Sequence, residues 1–180
     1  RVLFRSLALV DSNASIVHST IADNNATAGG GLEIRNGAFL ALSNSIVWDN
    51  QAAHAHNGPN LNTSGTFTGF IDTNRTVIQG GDGDLADADP QFVDPSRFDF
   101  RLRVGSPMIN QGNPDKVGSL PWDLSGIARN TDAAPDVGAY EGGVDVVDLG
   151  GQVTYSGIVE SGPFRVWLND ENGTRLKKLE

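Results

Sequence analysis

The chain has 180 residues, 22 of them glycine, no cysteine, and a formal net charge of −9 with an isoelectric point near 4.6. The missing cysteine excludes a disulfide scaffold and thiolate metal sites. An acidic surface repels phosphate backbones, so nucleic acid is not an expected partner, and no run approaches the ~18 apolar residues of a membrane-spanning helix.

Residues 1–6, Arg1-Val2-Leu3-Phe4-Arg5-Ser6, match the translated end of a common sequencing adapter and are set aside from the fold reading. Without Arg1 and Arg5 the 13 basic residues fall to 11 against 22 acidic ones, a balance of −11. With no initiator methionine or signal peptide, the chain is expected to be a piece of a longer protein.

Residues 7–81 carry an internal repeat. Ser19-Thr20-Ile21-Ala22-Asp23-Asn24-Asn25 aligns with Asn44-Ser45-Ile46-Val47-Trp48-Asp49-Asn50 at a spacing of 25, which sets Ile46 on Ile21 and Asn50 on Asn25. A weaker third copy runs from Phe67 to Gln79. Within each copy, bursts such as Leu32-Glu33-Ile34-Arg35 and Phe39-Leu40-Ala41-Leu42 alternate and are broken by Asn or Gly, as expected of strands too short to be helices. Strands joined by tight turns and stacked ~4.8 Å apart form a solenoid. Asn suits its corners because it tolerates left-handed backbone and can bond to the same amide one coil away; Asn25 and Asn50 are the expected ladder.

The pattern changes at 82–143. Asp82, Asp84, Asp87 and Asp89 form an acidic turn, short strands are expected at Gln91–Val93 and Phe98–Val104, and Pro107, Pro114, Pro121 and Pro135 recur. Proline withholds a ladder donor, so this segment reads as an irregular cap over the solenoid's apolar end. Residues 144–180 read as a linker and the start of a truncated β-sandwich-like module, with strands at Gln152–Tyr155 and Phe164–Leu168.

The ordered set Asn44-Ser45-Ile46-Val47-Trp48-Asp49-Asn50, Ala88-Asp89-Pro90-Gln91-Phe92-Val93-Asp94-Pro95, Leu102-Arg103-Val104-Gly105-Ser106-Pro107-Met108-Ile109-Asn110-Gln111-Gly112 and Asp136-Val137-Gly138-Ala139-Tyr140-Glu141 resembles the choice-of-anchor Q domain of bacterial β-helix proteins, with Met108 and Asn110 standing where the family commonly has Ala and Asp. The resemblance covers roughly residues 43–142. It implies a right-handed parallel β-helix of the pectin-lyase-like kind and a secreted or cell-surface location. It transfers no catalytic residue.

Of the residues able to do chemistry, Asp82, Asp84, Asp87 and Asp89 are the candidate Ca²⁺ ligands, since a hard cation wants several closely spaced oxygens; a solvated turn is the stronger reading. Gly81-Asp82-Gly83-Asp84-Leu85-Ala86 imitates a dinucleotide fingerprint, but Pro90 blocks the helix it needs and its aspartates repel pyrophosphate. His18, His54 and His56 read as polar loop residues, two of them being too few for a metal site. Glu33 and Arg35 superficially resemble the acid–base groups of a polysaccharide lyase but are expected on a solvated outer face. The sequence therefore predicts an all-β chain: the end of a right-handed parallel β-helix, a C-terminal cap and a truncated β module. The expected function is that of a non-catalytic structural or adhesive module with polysaccharide or cell-envelope components as partners and no cofactor. The alternative is the cap of a polysaccharide lyase or glycoside hydrolase whose site lies in upstream coils. Outward aromatic residues favour binding, and clustered Asp, Arg and Lys favour catalysis.

Overall fold

The computed structural model describes residues 6–54, 58–117, 120–129 and 133–143, together with the backbone of two strands at 166–169 and 175–179. Contacts divide the chain into two units, Arg1–Val147 and Asp148–Glu180.

The first unit opens with four short strands: β1 (Leu7–Val10), β2 (Asn13–Val17), β3 (Thr20–Ala22) and β4 (Asn25–Ala26). A second pass lays down β5 (Leu32–Arg35), β6 (Phe39–Ser43), β7 (Ile46–Trp48) and β8 (Gln51–Ala52). A third pass adds β9 (Leu61–Ser64), which the repeat did not anticipate, and β10 (Phe70–Asn74) and β11 (Val77–Ile78), which fall where the weak third copy was expected. Each strand pairs in parallel with its counterpart in the next pass. The resulting sheets are β1-β5-β9, β2-β6-β10, β3-β7-β11 and the two-stranded β4-β8. The fold is all-β, built from parallel sheets stacked in register.

The repeat is not uniformly 25 residues. Leu7 pairs with Leu32 at that spacing, but Asn13 pairs with Phe39, 26 residues on. The extra residue enters at the first corner, where Asn36-Gly37-Ala38 stands opposite Asp11-Ser12. There the Asp11 carboxylate accepts from Asn36 Nδ2 at 3.0 Å and from the Gly37 N–H at 3.3 Å, holding the longer turn against the shorter one. From this point Thr20 pairs with Ile46, and Ile21 with Val47. The expected stack of Ile46 on Ile21 is thus one residue out of register, and in a strand one residue exchanges the two faces.

That exchange divides the core. Ile21, Val47 and Ile78 face a cluster shared with Leu9, Leu32, Ile34, Leu40, Leu42 and Leu61, so all three three-stranded sheets look onto one interior. Ala22, Ile46 and Val77 belong instead to a second cluster with Phe92, Phe100, Leu102, Met108 and Val137. The β3-β7-β11 sheet is consequently covered on both faces, which is why Thr20, Ile21 and Ala22 are all buried. Its outer cover comes from β12 (Phe92–Asp94) and β13 (Asp99–Leu102), antiparallel strands joined by a 3₁₀ turn at Pro95–Arg97, and from the irregular chain after them.

The corners use left-handed backbone at stacked positions. His18, Asn44 and Arg75 follow paired strand residues and have φ of 48°, 49° and 53°, while Asp23 and Asp49 have 55° and 52°. Asn fills some corners as expected, but Asp, His and Arg fill others. Neither Asn25 nor Asn50 is left-handed.

In the second unit β14 (Val166–Asn169) and β15 (Arg175–Leu179) form an antiparallel pair with a register shift at Leu168/Asn169. The strand expected at Phe164–Leu168 overlaps β14, β15 was not anticipated, and the one expected at Gln152–Tyr155 lies outside the described residues.

Candidate functional site

The acidic turn that follows β11 serves its own backbone. Asp84 accepts from the Arg75 and Thr76 N–H groups at 2.7 and 2.9 Å, Asp87 from the Gly80 N–H at 3.2 Å, and Asp89 from the Gln91 N–H at 2.8 Å. Asp82 is exposed. A carboxylate accepting backbone N–H bonds stabilises a turn in the way an Asx motif does. Among the described residues no three His, Asp or Glu side chains gather as a metal-binding group, so the structure does not bring these four together.

Glu33 corrects the sequence reading. It stands on the outer face of β5, opposite Leu32 and Ile34, yet it is only 3% exposed instead of solvated. Arg35 Nε donates to it at 2.9 Å, Asn62 Nδ2 at 2.6 Å, and Ser64 Oγ donates to the same oxygen as Arg35. Asn62 and Ser64 are the β9 partners of Glu33 and Arg35, so the carboxylate is sewn into the next pass by register alone. Burial raises its pKa, but the bonds from Ser64, Asn62 and Arg35 outweigh that and hold the carboxyl below its ordinary value. The sequence signal for this was the polar Asn62-Thr63-Ser64 run, which only the pairing places beside Glu33.

Of the three histidines, His18 differs from expectation. His18 is buried, with Nε2 3.0 Å from Asn44 Nδ2. Burial and the Arg129 charge push its pKa down to about 4, so it is neutral at pH 7. His54 is an exposed loop residue whose N–H donates to Thr27 O at 2.7 Å; His56 lies outside the described residues.

His18 belongs to a polar seam where residues 106–143 meet the parallel stack. Asn44, fully buried, donates through Nδ2 to Asn113 O at 2.9 Å and accepts the Asn113 N–H at Oδ1 at 2.7 Å, while its own carbonyl accepts the Gly138 N–H at 2.8 Å. Beyond it, Arg129 and Glu141 form a buried ion pair at 2.7 Å, and Arg129 also donates to the Gly138 and Ala139 carbonyls. Asp123 accepts the Glu141 N–H, and Asp136 accepts the Asn110 and Gly142 N–H groups. Burial, aided by the Asp136 charge, raises the Glu141 carboxyl to about 7 against the opposing pull of the Asp136 N–H and Arg129. Each charge here bonds the backbone or an opposite charge, the arrangement expected of a structural joint, although the buried Nε of Arg129 has no partner among the described residues.

The amide ladder is present but displaced. Asn24 Nδ2 donates to Asn50 Oδ1 at 2.9 Å, Asn50 Nδ2 to Asn60 Oδ1 at 2.9 Å, and Asn60 Nδ2 to Gln79 Oε1 at 3.1 Å. Asn25, exposed in β4, pairs with Gln51. The one-residue insertion at Asn36-Gly37-Ala38 accounts for the displacement. No family model matches the chain, and no curated protein or solved structure matches it significantly.

Proposed function

We propose that the chain is the end of a right-handed parallel β-helix of the choice-of-anchor Q, pectin-lyase-like kind. On this reading it serves as a structural and adhesive module of a secreted or cell-surface bacterial protein, with polysaccharide or cell-envelope components as its partners. The observation that carries the reading is the in-register parallel stack, flanked by a segment bonded to it at Thr20 and Asn44. Such a stack is a stiff one-dimensional scaffold whose outer positions repeat at the spacing of its strands. An aromatic pair supports adhesion: Phe39 and Phe70 stack on the outer face at a 5.9 Å centroid separation and 17° between planes, and Phe70 is 61% exposed. The locking of Glu33 supports a non-catalytic role, because a carboxylate bonded to three fixed donors is poorly placed to exchange protons with a substrate.

The test is to incubate the full chain with insoluble and soluble polysaccharides, with and without Ca²⁺. Retention on at least one polysaccharide without turnover is expected. New unsaturated products absorbing in the ultraviolet, or new reducing ends, would overturn the reading.

A further inference from the structure

A cleft of about 310 Å³ opens where the Asp23 and Asp49 corners meet the hairpin of β12 and β13. Its floor is apolar, formed by Phe92 and Phe100, which meet edge to face at 5.2 Å, with the half-buried Trp48 beside them. Its rim carries the exposed side chains of Asp23, Asp49, Asp89 and Arg103. Asp23 and Asp49 occupy one corner in successive passes, following the paired residues Ala22 and Trp48. The same corner of the third pass falls at Gly80, so the column of carboxylates ends there. Arg103 is steadied by donating through Nη2 to Val93 O at 2.8 Å and through its N–H to Gln91 O at 3.0 Å.

We infer that this cleft binds a neutral, hydroxyl-rich saccharide ring, seated on Trp48 and bonded at its edge by Asp23, Asp49, Asp89 and Arg103. The inference rests on the adhesive reading above and gives it a site. The rim suits the other ligand classes less well. Three carboxylates against one guanidinium repel a uronate or other anion, and the guanidinium stands in the wall a polyamine would share. The three aspartates do not form a metal-binding group. A neutral sugar suits all the groups at once. Its hydroxyls donate to carboxylates, which only accept, and accept from a guanidinium, which only donates. Its C–H face lies on an aromatic ring without stranding a polar group. The volume is near the lower end of the ~300–1,000 Å³ common for small-molecule sites, room for one or two rings.

Calorimetry on the full chain, with neutral hexose and pentose oligosaccharides, oligouronates, spermidine and CaCl₂ as separate titrants, tests this. A neutral oligosaccharide should bind, with Kd raised at least about tenfold in Asp49→Asn and in Arg103→Gln, both at exposed positions where the melting temperature should shift little. Trp48→Phe should weaken binding less than Trp48→Ala, and Phe70→Ala should leave it unchanged. Preference for oligouronate, spermidine or Ca²⁺ would overturn the inference. Neutral binding that survives the cleft variants but is lost in Phe70→Ala would overturn the cleft while leaving the adhesive reading standing. Failure of the unaltered chain to bind any saccharide or polysaccharide would overturn both.

Discussion

The backbone N–H of Ala139 donates to the hydroxyl of Thr20 at 3.1 Å, joining positions 119 residues apart at the centre of the seam between the parallel stack and its cover. Gly138, beside it, adopts φ 109°, and a Cβ there would lie 2.9 Å from Ile46 Cδ1 and 3.0 Å from Thr20 Oγ1. Only a glycine lets the chain pass this close to the strand pair.

Thr20→Val keeps the shape but removes the acceptor and leaves the Ala139 N–H buried without a partner. It should cost about 1–3 kcal/mol in chemical denaturation. Thr20→Ser should recover most of that. Gly138→Ala should cost at least as much, from the strained φ and the clash together. If Thr20→Val and Thr20→Ser melt together, the hydrogen bond is not what joins the seam.

Asn50 tests the register. Its Nδ2 donates to both Ile21 O and Asn60 Oδ1 at 2.9 Å, so Asn50→Asp turns two bonds into repulsions inside a buried column and should destabilise by more than about 2 kcal/mol. Asn25→Asp, on the exposed neighbour, should stay within about 0.5 kcal/mol. Equal shifts would favour a uniform 25-residue repeat over the observed insertion.

Glu33→Ala should destabilise by roughly 1–3 kcal/mol, because Ser64 and Arg35 lose the oxygen they share. Arg35→Ala should cost less, since 48% of its side-chain surface is already in water. Urea midpoints for both variants decide the matter, and a larger loss for Arg35→Ala would contradict the buried placement of Glu33.

Two buried groups give opposite pH dependences. Glu141 is raised from 4.5 to about 7, so its contribution is fully present below pH 4.5 and is lost as pH rises through 7. His18 is depressed from 6.5 to about 4, so its contribution is present above pH 6.5 and is lost as pH falls through 4. Each slope is on the order of 1.4 kcal/mol per pH unit at most, and between about pH 4.5 and 6.5 they oppose each other. The melting temperature of the unaltered chain should therefore be nearly flat there. Glu141→Gln should unmask a fall toward acid, and His18→Asn, which tolerates the left-handed corner, a fall toward pH 7. Melting curves at half-unit pH steps check this; parallel profiles for the two variants would show that neither group titrates as placed.

Much of the architecture was legible along the chain. Bursts such as Leu32–Arg35 and Phe39–Ser43 declare short strands because alternation and bracketing turn residues are local properties. The change at 82–143 declares a different packing because proline cannot join a ladder. What the sequence by itself did not determine was register, since strand pairing is a contact between residues 25 to 31 apart and a single insertion at Asn36-Gly37-Ala38 shifts the pairing of the first two passes beyond it. That shift puts Asn24 in the amide column in place of Asn25, and it turns Ile46 away from Ile21 toward Phe92 and Val137. Tertiary packing alone decided the burial of Glu33 and His18, whose neighbours Ser64 and Asn44 come from other passes. It also made the cleft at Trp48, because a pocket needs two walls, and here β7 and the β12–β13 hairpin are brought together only by burying the outer face of a sheet. A polar or aromatic residue in a strand has no fixed environment until the surface opposite it is known.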